Sequence, residues 1–279
     1  MFRIRLLVAP LVLLTVASSL TPTTNPGFAT GSPVVAAWSM DEAAGGSFLD
    51  SSGSGFDGTL FQGRWPAGVS GTAIEFNGQG GYGAIDAGAP AALANLSEGT
   101  ISLWFRFDDV PTYDTIHPLF YFGDGIGGPG NSELIIEIGH FDTETTIFCT
   151  IITDNEKIPQ CFNSKQDLVP GELYHFAVVV DELPGGRPNR GTNTGYLNGA
   201  EMTDRHYRFG GPDMAHFFDD IADAHQTWFG RGFLSTIAKV QSLNGLVDEV
   251  FVLERPLNAQ QISAYYQATK GRMEQAHAR

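Results

Sequence analysis

The stretch LNGLVDEVFVLERPLNAQQISAYYQ, residues 243–267, decides the fold. Its first half contains GLVDEVFVLE (245–254), a strand-like apolar run. After Arg255-Pro256 the pattern changes to helical spacing, with Ile262, Tyr265, Tyr266 and Thr269 on one face. Asn258 can cap this helix and Gly271 can end it, which predicts a short C-terminal helix. Upstream no comparable helix is found. Short apolar or alternating runs recur instead: VVAAWSM (34–40), GTAIEFNG (71–78), GTISLWFRF (99–107), HPLFYFG (117–123), ELIIEIG (133–139), TTIFCTII (145–152), YHFAVVVD (174–181) and GYLNG (195–199). Gly, Pro, Asn and Asp separate them, so the chain reads as an all-β sandwich or barrel.

A parallel nucleotide-binding sheet is excluded by the lack of strand–helix alternation. GDGIGGPG (123–130) has the glycines of a phosphate loop but no Lys-Ser/Thr and no helix after it, so it reads as a surface loop. With no composition shift and no repeat, the sequence predicts one domain over 31–271, followed by a polar tail, 272–279. The rims of the sandwich would be 108–117, 123–132, 181–194 and 203–227.

Composition agrees. Glycine accounts for 34 of 279 residues and charged residues for only 17%, which suits many turns and crowded backbone. Lys+Arg number 16 against Asp+Glu 31, a formal charge of −15. That field repels phosphate and anionic lipid, so nucleic acid is not an expected partner and neither is a membrane surface. Twenty Phe and a 42% apolar share supply a sizeable core.

Residues 1–30 read as a secretory signal peptide and short linker. MFRIR is a basic start, LLVAPLVLLTVASS a short apolar core broken by Pro10, and Ala17 and Ser19 suit the cleavage positions. The apolar run is shorter than the roughly 20 residues a span needs, and no later stretch is long enough, so membrane insertion is not expected. Cys149 and Cys161 flank TIITDNEKIPQ, read as strand, turn and returning strand, where a disulfide could close. Such a bridge would contribute about 3 kcal/mol.

Taken in order, VVAAWSMDEAAGGSFLDSSGSGFDGTL, GTAIEFNGQGGYGAI, GTISLWFRF, ELYHFAVVVD, TWFGRG and the closing LNGLVDEVFVLERPLNAQQISAYYQ resemble the laminin-G-like, concanavalin A-like lectin/glucanase domain seen in pentraxins and secreted bacterial proteins. Tyr174 stands where that family usually has Trp before His, and 203–227 matches nothing in it. The resemblance implies a jelly-roll sandwich of two antiparallel sheets. It also implies that first and last strands are neighbours, which would bring Asp41 and Asp248 together.

Related domains often hold a structural calcium there, so the resemblance and the oxygen-rich turns make Asp41, Asp50, Asn77 and Asp248 candidate Ca2+ ligands. The same residues also suit ordinary turn capping. For a carbohydrate ligand the loops offer Tyr113, His117, Tyr121, Tyr207, Arg208, Phe217, Phe218 and Trp228. With this many aromatics, most must be core. Catalysis has weaker support. The Glu-x-Asp-x-x-Glu spacing of related glucanases is absent, and Glu133 with Glu137 on one strand face is the nearest imitation, Asp248 with Glu254 another. His206, His216, Asp219, Asp220, Asp223 and His225 could hold a transition metal or form a solvated acidic loop. Asn95-Leu96-Ser97 fits a glycosylation acceptor.

The expected function is a secreted, non-catalytic module that binds a glycan or an extracellular-matrix partner. The alternatives are a polysaccharide-degrading enzyme on the same sandwich and a cell-surface adhesion or structural protein.

Overall fold

The computed structural model describes residues 34–128, 130–141, 143–153, 157–183, 189–234 and 239–277. The signal-peptide segment lies outside them. Two large sheets form the molecule, and every pairing within them is antiparallel. The seven-stranded sheet runs β1 (Val34–Trp38), β18 (Asn244–Leu253), β6 (Gly99–Phe107), β11 (Tyr174–Glu182), β12 (Gly191–Leu197) and β13 (Ala200–Glu201), with β4 (Ile74–Asn77) also on β18. The nine-stranded sheet runs β14 (His206–Phe209), β10 (Lys157–Asn163), β9 (Glu144–Thr153), β8 (Glu133–Phe141), β7 (Ile116–Gly123), β15 (Gln226–Phe229), β5 (Tyr82–Ile85), β3 (Gly58–Phe61) and β2 (Ser47–Phe48). A separate hairpin pairs β16 (Arg231–Phe233) with β17 (Val240–Ser242). This is the concanavalin A-like sandwich that the sequence predicts, with first strand on last: Trp38 faces Val250.

Alternation along the strands builds the core. Ile101, Leu103, Phe105 and Phe107 of β6 point inward with Phe176, Val178 and Val180 of β11. From the other sheet come Phe120 and Phe122, Leu134, Ile136 and Ile138, and Ile147, Cys149 and Ile151. Each such side chain contributes about 1.5–3 kcal/mol by leaving water. Tyr174 replaces the expected Trp by stacking on Phe105 at 5.6 Å, while its hydroxyl accepts the Val169 amide.

The helix α2 (Ala259–His277) covers the outer face of the seven-stranded sheet. Asn258 Oδ1 accepts the Gln261 amide and Gln261 Oε1 accepts the Asn258 amide, a reciprocal cap. The helix does not stop at Gly271, so residues 272–277 are not a tail. A mid-helix glycine is worth only about 1 kcal/mol against Ala, and the helix formers Arg272, Met273, Glu274, Gln275 and Ala276 follow it. Two short helical turns the sequence did not signal are α1 (Gly88–Leu93) and a 3-10 turn at Phe218–Asp220. Among the described residues, no helix is long and apolar enough to cross a membrane.

The expected disulfide does not form: Cys149 and Cys161 are both free and buried. Lys157 faces Thr153, and in unbroken register Cys161 would face Cys149. A bulge between Lys157 and Gln160, containing Pro159, shifts the pairing so that Cys161 faces Thr150 and Cys149 faces Phe162. One residue of slip puts the two thiols on opposite faces of the sheet.

Candidate glycan groove and acidic cluster

On the nine-stranded sheet, the residues that point away from the core are Glu133, Ile135, Glu137 and Gly139 of β8. Their partners on β9 are Ile152, Thr150, Phe148 and Thr146. The β16–β17 hairpin covers one part of this face, with Ile116, Tyr121, Ile135, Trp228 and Phe233 packed together around it. Tyr121 stacks on Trp228 at 4.8 Å, and the Arg231 guanidinium lies over Trp228 and Tyr82.

Beyond the hairpin the face opens as a groove of about 610 Å³, with Leu234 at the covered edge. Glu137, Thr150 and Cys161 make its floor, and Tyr113, Phe141, Phe148 and Arg208 its walls. Tyr113 is 73% exposed, and its ring lies 5.7 Å from that of Phe141. Gly139 has no Cβ, which leaves the space that the Phe148 ring occupies. The Arg208 guanidinium sits 3.5 Å from the Phe141 ring centroid and 5.3 Å from that of Phe148. A second lobe of about 350 Å³ continues past Phe141 and Arg208 to Thr146, Asn163, Lys165 and Glu144.

Burial pushes the Glu137 carboxyl up to about 8, against a hydrogen bond from Thr150 that lowers it. The group is therefore neutral at pH 7 and can donate as well as accept. Cys161 lies 3.3 Å from the Thr150 hydroxyl, and burial raises its thiol to about 11, so it is not a thiolate nucleophile. Glu133 is held well above the usual carboxylate range by burial and by the charges of Glu137 and Asp124. Its two oxygens complete no hydrogen bond, and it does not line the groove.

The structure divides the expected ligand residues. Tyr113 and Arg208 meet in the groove. Tyr207 borders it, but its ring packs toward Phe162 and its hydroxyl is held between Arg205 and Asn193. Tyr121 and Trp228 are buried under the hairpin, and Phe217 and Phe218 are core, with Phe218 edge-on to Phe122 at 4.8 Å. Strand pairing places Tyr121 and Trp228 on the outer face beneath the hairpin, and the 3-10 turn sends Phe217 and Phe218 into the core. His117 is buried: its Nε2 donates to the Asp109 carbonyl at 2.9 Å, and Asn244 N approaches Nδ1. It anchors the loop carrying Tyr113. Phe141, Phe148, Asn163 and Lys165 are the groove residues that sequence reasoning missed. Strand β9, ETTIFCTIIT, is buried on both faces, and its mixture of Thr and apolar residues does not alternate, so it gives no parity signal.

The proposed transition-metal residues do not converge. His206 lies in the groove, His216 pairs with Asp220 at 2.9 Å, and His225 bonds the Asp223 carbonyl. Desolvation and the neighbouring Asp220 raise Asp219 to about 6.

At the other end of the sandwich, Asp41 and Asp248 do come together. Asp248 is fully buried; its oxygens accept the Val69 and Glu249 amides, and burial followed by the Glu249 charge raises it well above 3.8. Asp41 accepts the Thr72 amide and is raised chiefly by burial, and Glu249 is pushed up to about 7 the same way. A Cβ at Gly68 or Gly71 would collide with the Asp248 or Asp41 carboxylate, so glycine is required for this approach. Met40, Ala43 and Glu249 here adopt positive φ. Buried carboxylates that repel one another are oxygen donors of the kind a hard cation takes. Asp50 and Asn77 are engaged otherwise. Asp50 accepts hydrogen bonds from Ala37, Ser52 and Phe56, and Asn77 Oδ1 accepts the Gln79 amide. Among the described residues, no three His, Cys, Asp or Glu side chains are grouped to hold a metal by themselves.

A family model described as concanavalin A-like lectin/glucanases superfamily matches residues 77–263. The chain belongs to this superfamily. By sequence, no curated protein matches it. Among solved structures, domain 4 of AbnA, an extracellular arabinanase from Geobacillus stearothermophilus in complex with arabinotriose, is similar at 19% identity. The match has a TM-score of 0.55 and covers 85% of this chain and 99% of that one. Trypanosoma rangeli sialidase, in complex with sialic acid, matches at 18% identity and TM-score 0.55, over 82% of this chain but only 32% of the sialidase. A structure of botulinum neurotoxin type C, whose cell entry depends on two ganglioside molecules, matches at 10% identity and TM-score 0.59, over 85% and 51%. At these identities the likeness is one of fold.

Proposed function

We propose that the chain is a secreted, non-catalytic glycan-binding module whose ligand lies in the groove on the nine-stranded sheet. The observation that carries this reading is the grouping of exposed aromatic faces, Tyr113 and Phe141, with Arg208 and a polar floor in one groove. Aromatic faces stack on the apolar faces of sugar rings, and a few polar groups fix orientation. The arabinotriose and gangliosides named for two of the proteins of similar fold support a carbohydrate as partner. Export rests on the N-terminal signal pattern.

Placement weighs against hydrolysis by the Glu133–Glu137 pair. Glu137 lies on the groove floor, whereas Glu133 does not line the groove, so the two carboxyls do not face one ligand. A structural Ca2+ at Asp41 and Asp248 would relieve their repulsion and order the turns at 66–72, with no part in chemistry.

Native electrophoresis through gels holding different polysaccharides tests the reading, each gel run with calcium and with chelator and then stained for polymer. Retardation without clearing, lost in the Tyr113→Ala/Phe141→Ala variant, is the expected result. Clearing around the band would replace the lectin by the enzyme, and free migration in every gel would move the partner to the protein class. A melting temperature unchanged by chelator would remove the calcium.

A further inference from the structure

Arg208 differs from most arginines of this acidic chain. Arg64, Arg106, Arg190, Arg205 and Arg272 each lie against a carboxylate. Arg231 lies over two aromatic rings under the hairpin. Among the described residues no carboxylate is within ion-pair distance of Arg208, although Asp+Glu outnumber Lys+Arg 31 to 16. Its Nε is buried without an acceptor. Stacking on Phe141 holds the guanidinium plane and leaves its edge as the donor surface, and that edge is a fork matched to a carboxylate. Arg208 also stands where the two lobes of the groove meet, with Lys165 in the second lobe. Beside Lys165, the Asn163 Oδ1 is a buried acceptor with no donor. The acids of the groove are Glu144 and Asp114 at its edges and Glu137 on its floor.

We propose that the groove selects glycans bearing a carboxylate, with the Arg208 fork reading the carboxylate, Lys165 adding charge in the adjoining lobe and Asn163 accepting a sugar hydroxyl. The inference rests on the glycan-binding reading and deepens it. It assigns the ligand class by charge: an acidic sugar, either a uronate within a polymer or a terminal sialic acid. A chain of −15 repels such ligands at long range. Selection must then come from a short-range, partly desolvated contact, in which Arg is better suited than Lys because it is less strongly hydrated.

The test measures affinity of the full mature chain for matched pairs of probes that differ only in the acid: polygalacturonate against its methyl ester, and sialyllactose against lactose. Wild type should bind one acidic member at least tenfold more tightly than its neutral partner, and the pair that discriminates identifies the source. Arg208→Gln should abolish that preference, and Arg208→Lys should restore only part of it, with melting temperatures unchanged. Equal affinity within both pairs overturns the carboxylate assignment while leaving glycan binding intact. A preference that survives Arg208→Gln overturns Arg208 as the reader. If none of the four probes binds but other polysaccharides still retard the chain, the acidic class is wrong. If no polysaccharide binds at all, the underlying glycan reading falls with it.

Discussion

The two outer faces of the sandwich are built from the same pleat and have opposite fates. Over the seven-stranded sheet, Ala177, Val179, Tyr196, Phe251 and Leu253 meet Leu257, Ile262 and Tyr265, and the helix seals them from water. Most polar groups there are matched: Trp104 Nε1 donates to the Thr269 hydroxyl and stacks on Tyr266, and His175 Nε2 lies 2.8 Å from the Ser102 hydroxyl, while His175 Nδ1 has no partner. Over the nine-stranded sheet a three-residue strand covers one part, and the rest carries Glu137, Thr150, Thr146, Phe148 and Arg208 facing a groove. Buried donors and acceptors are left over in this groove, at Arg208 Nε and Asn163 Oδ1. The contrast teaches that burial by itself does not mark a core. The face closed by its own chain leaves His175 Nδ1 unpartnered, whereas on the open face the unpartnered groups at Arg208 and Asn163 line the groove.

Four measurements test that contrast. The largest effect is expected on the sealed face. Ile262 is fully buried under α2, so Ile262→Ala should lower stability by about 2–5 kcal/mol in denaturant while leaving retardation in polysaccharide gels unchanged. Loss of glycan binding in a still-folded variant would mean that the two faces are coupled.

Next in size is the response to pH, to which Glu137 and His175 contribute with opposite signs. Burial raises Glu137 from 4.5 to about 8, so the native state holds its proton longer than the unfolded chain does, and stability falls as pH rises between those values. Burial lowers His175 from 6.5 to about 3, so stability falls as pH drops from 6.5 toward 3. Each limb amounts to a few kcal/mol. Glu137→Gln should lessen the fall with rising pH, the remainder belonging to the other buried acids such as Glu249 and Asp219, and leave the acid limb unchanged; a profile from pH 5 to 9 identical to wild type would show that Glu137 is not one of the buried acids.

A smaller effect is expected on the open face. Tyr113 and Phe141 are exposed enough that alanine at both should change stability by less than about 0.5 kcal/mol. The same change should weaken the ligand about tenfold, or 1.4 kcal/mol. A large drop in melting temperature would assign these rings to the core. The smallest effect concerns the thiols. Reductant should leave the melting temperature unchanged, and both cysteines should resist alkylation until the chain unfolds; a reductant-sensitive transition would reveal a bridge between neighbouring strands.

Much of this architecture was legible in the sequence. The closing strand and helix were visible in 243–267 because one has the period of a half-buried strand and the other the 3.6 period with an Asn258 cap. The approach of Asp41 to Asp248 followed from the family topology. The groove was only half legible. Tyr113 and Arg208 were named because they stand in irregular, polar stretches, but Tyr121 and Trp228 look no different in sequence and are buried. Phe141 and Phe148 were hidden inside strand-like runs, where an aromatic reads as core.

The sequence by itself determined the class of fold, the layering of the core, the acidic charge and the capped helix, because all of these are carried by local pattern and composition. Tertiary structure alone decided three things. It set the one-residue bulge that separates Cys149 from Cys161, since register depends on pairing across the hairpin. It chose which outer face the helix seals, since that depends on where the chain ends in space. And it gathered Tyr113, Phe141, Lys165 and Arg208 from separate segments into one groove, since no local pattern encodes what strands far apart in sequence place side by side.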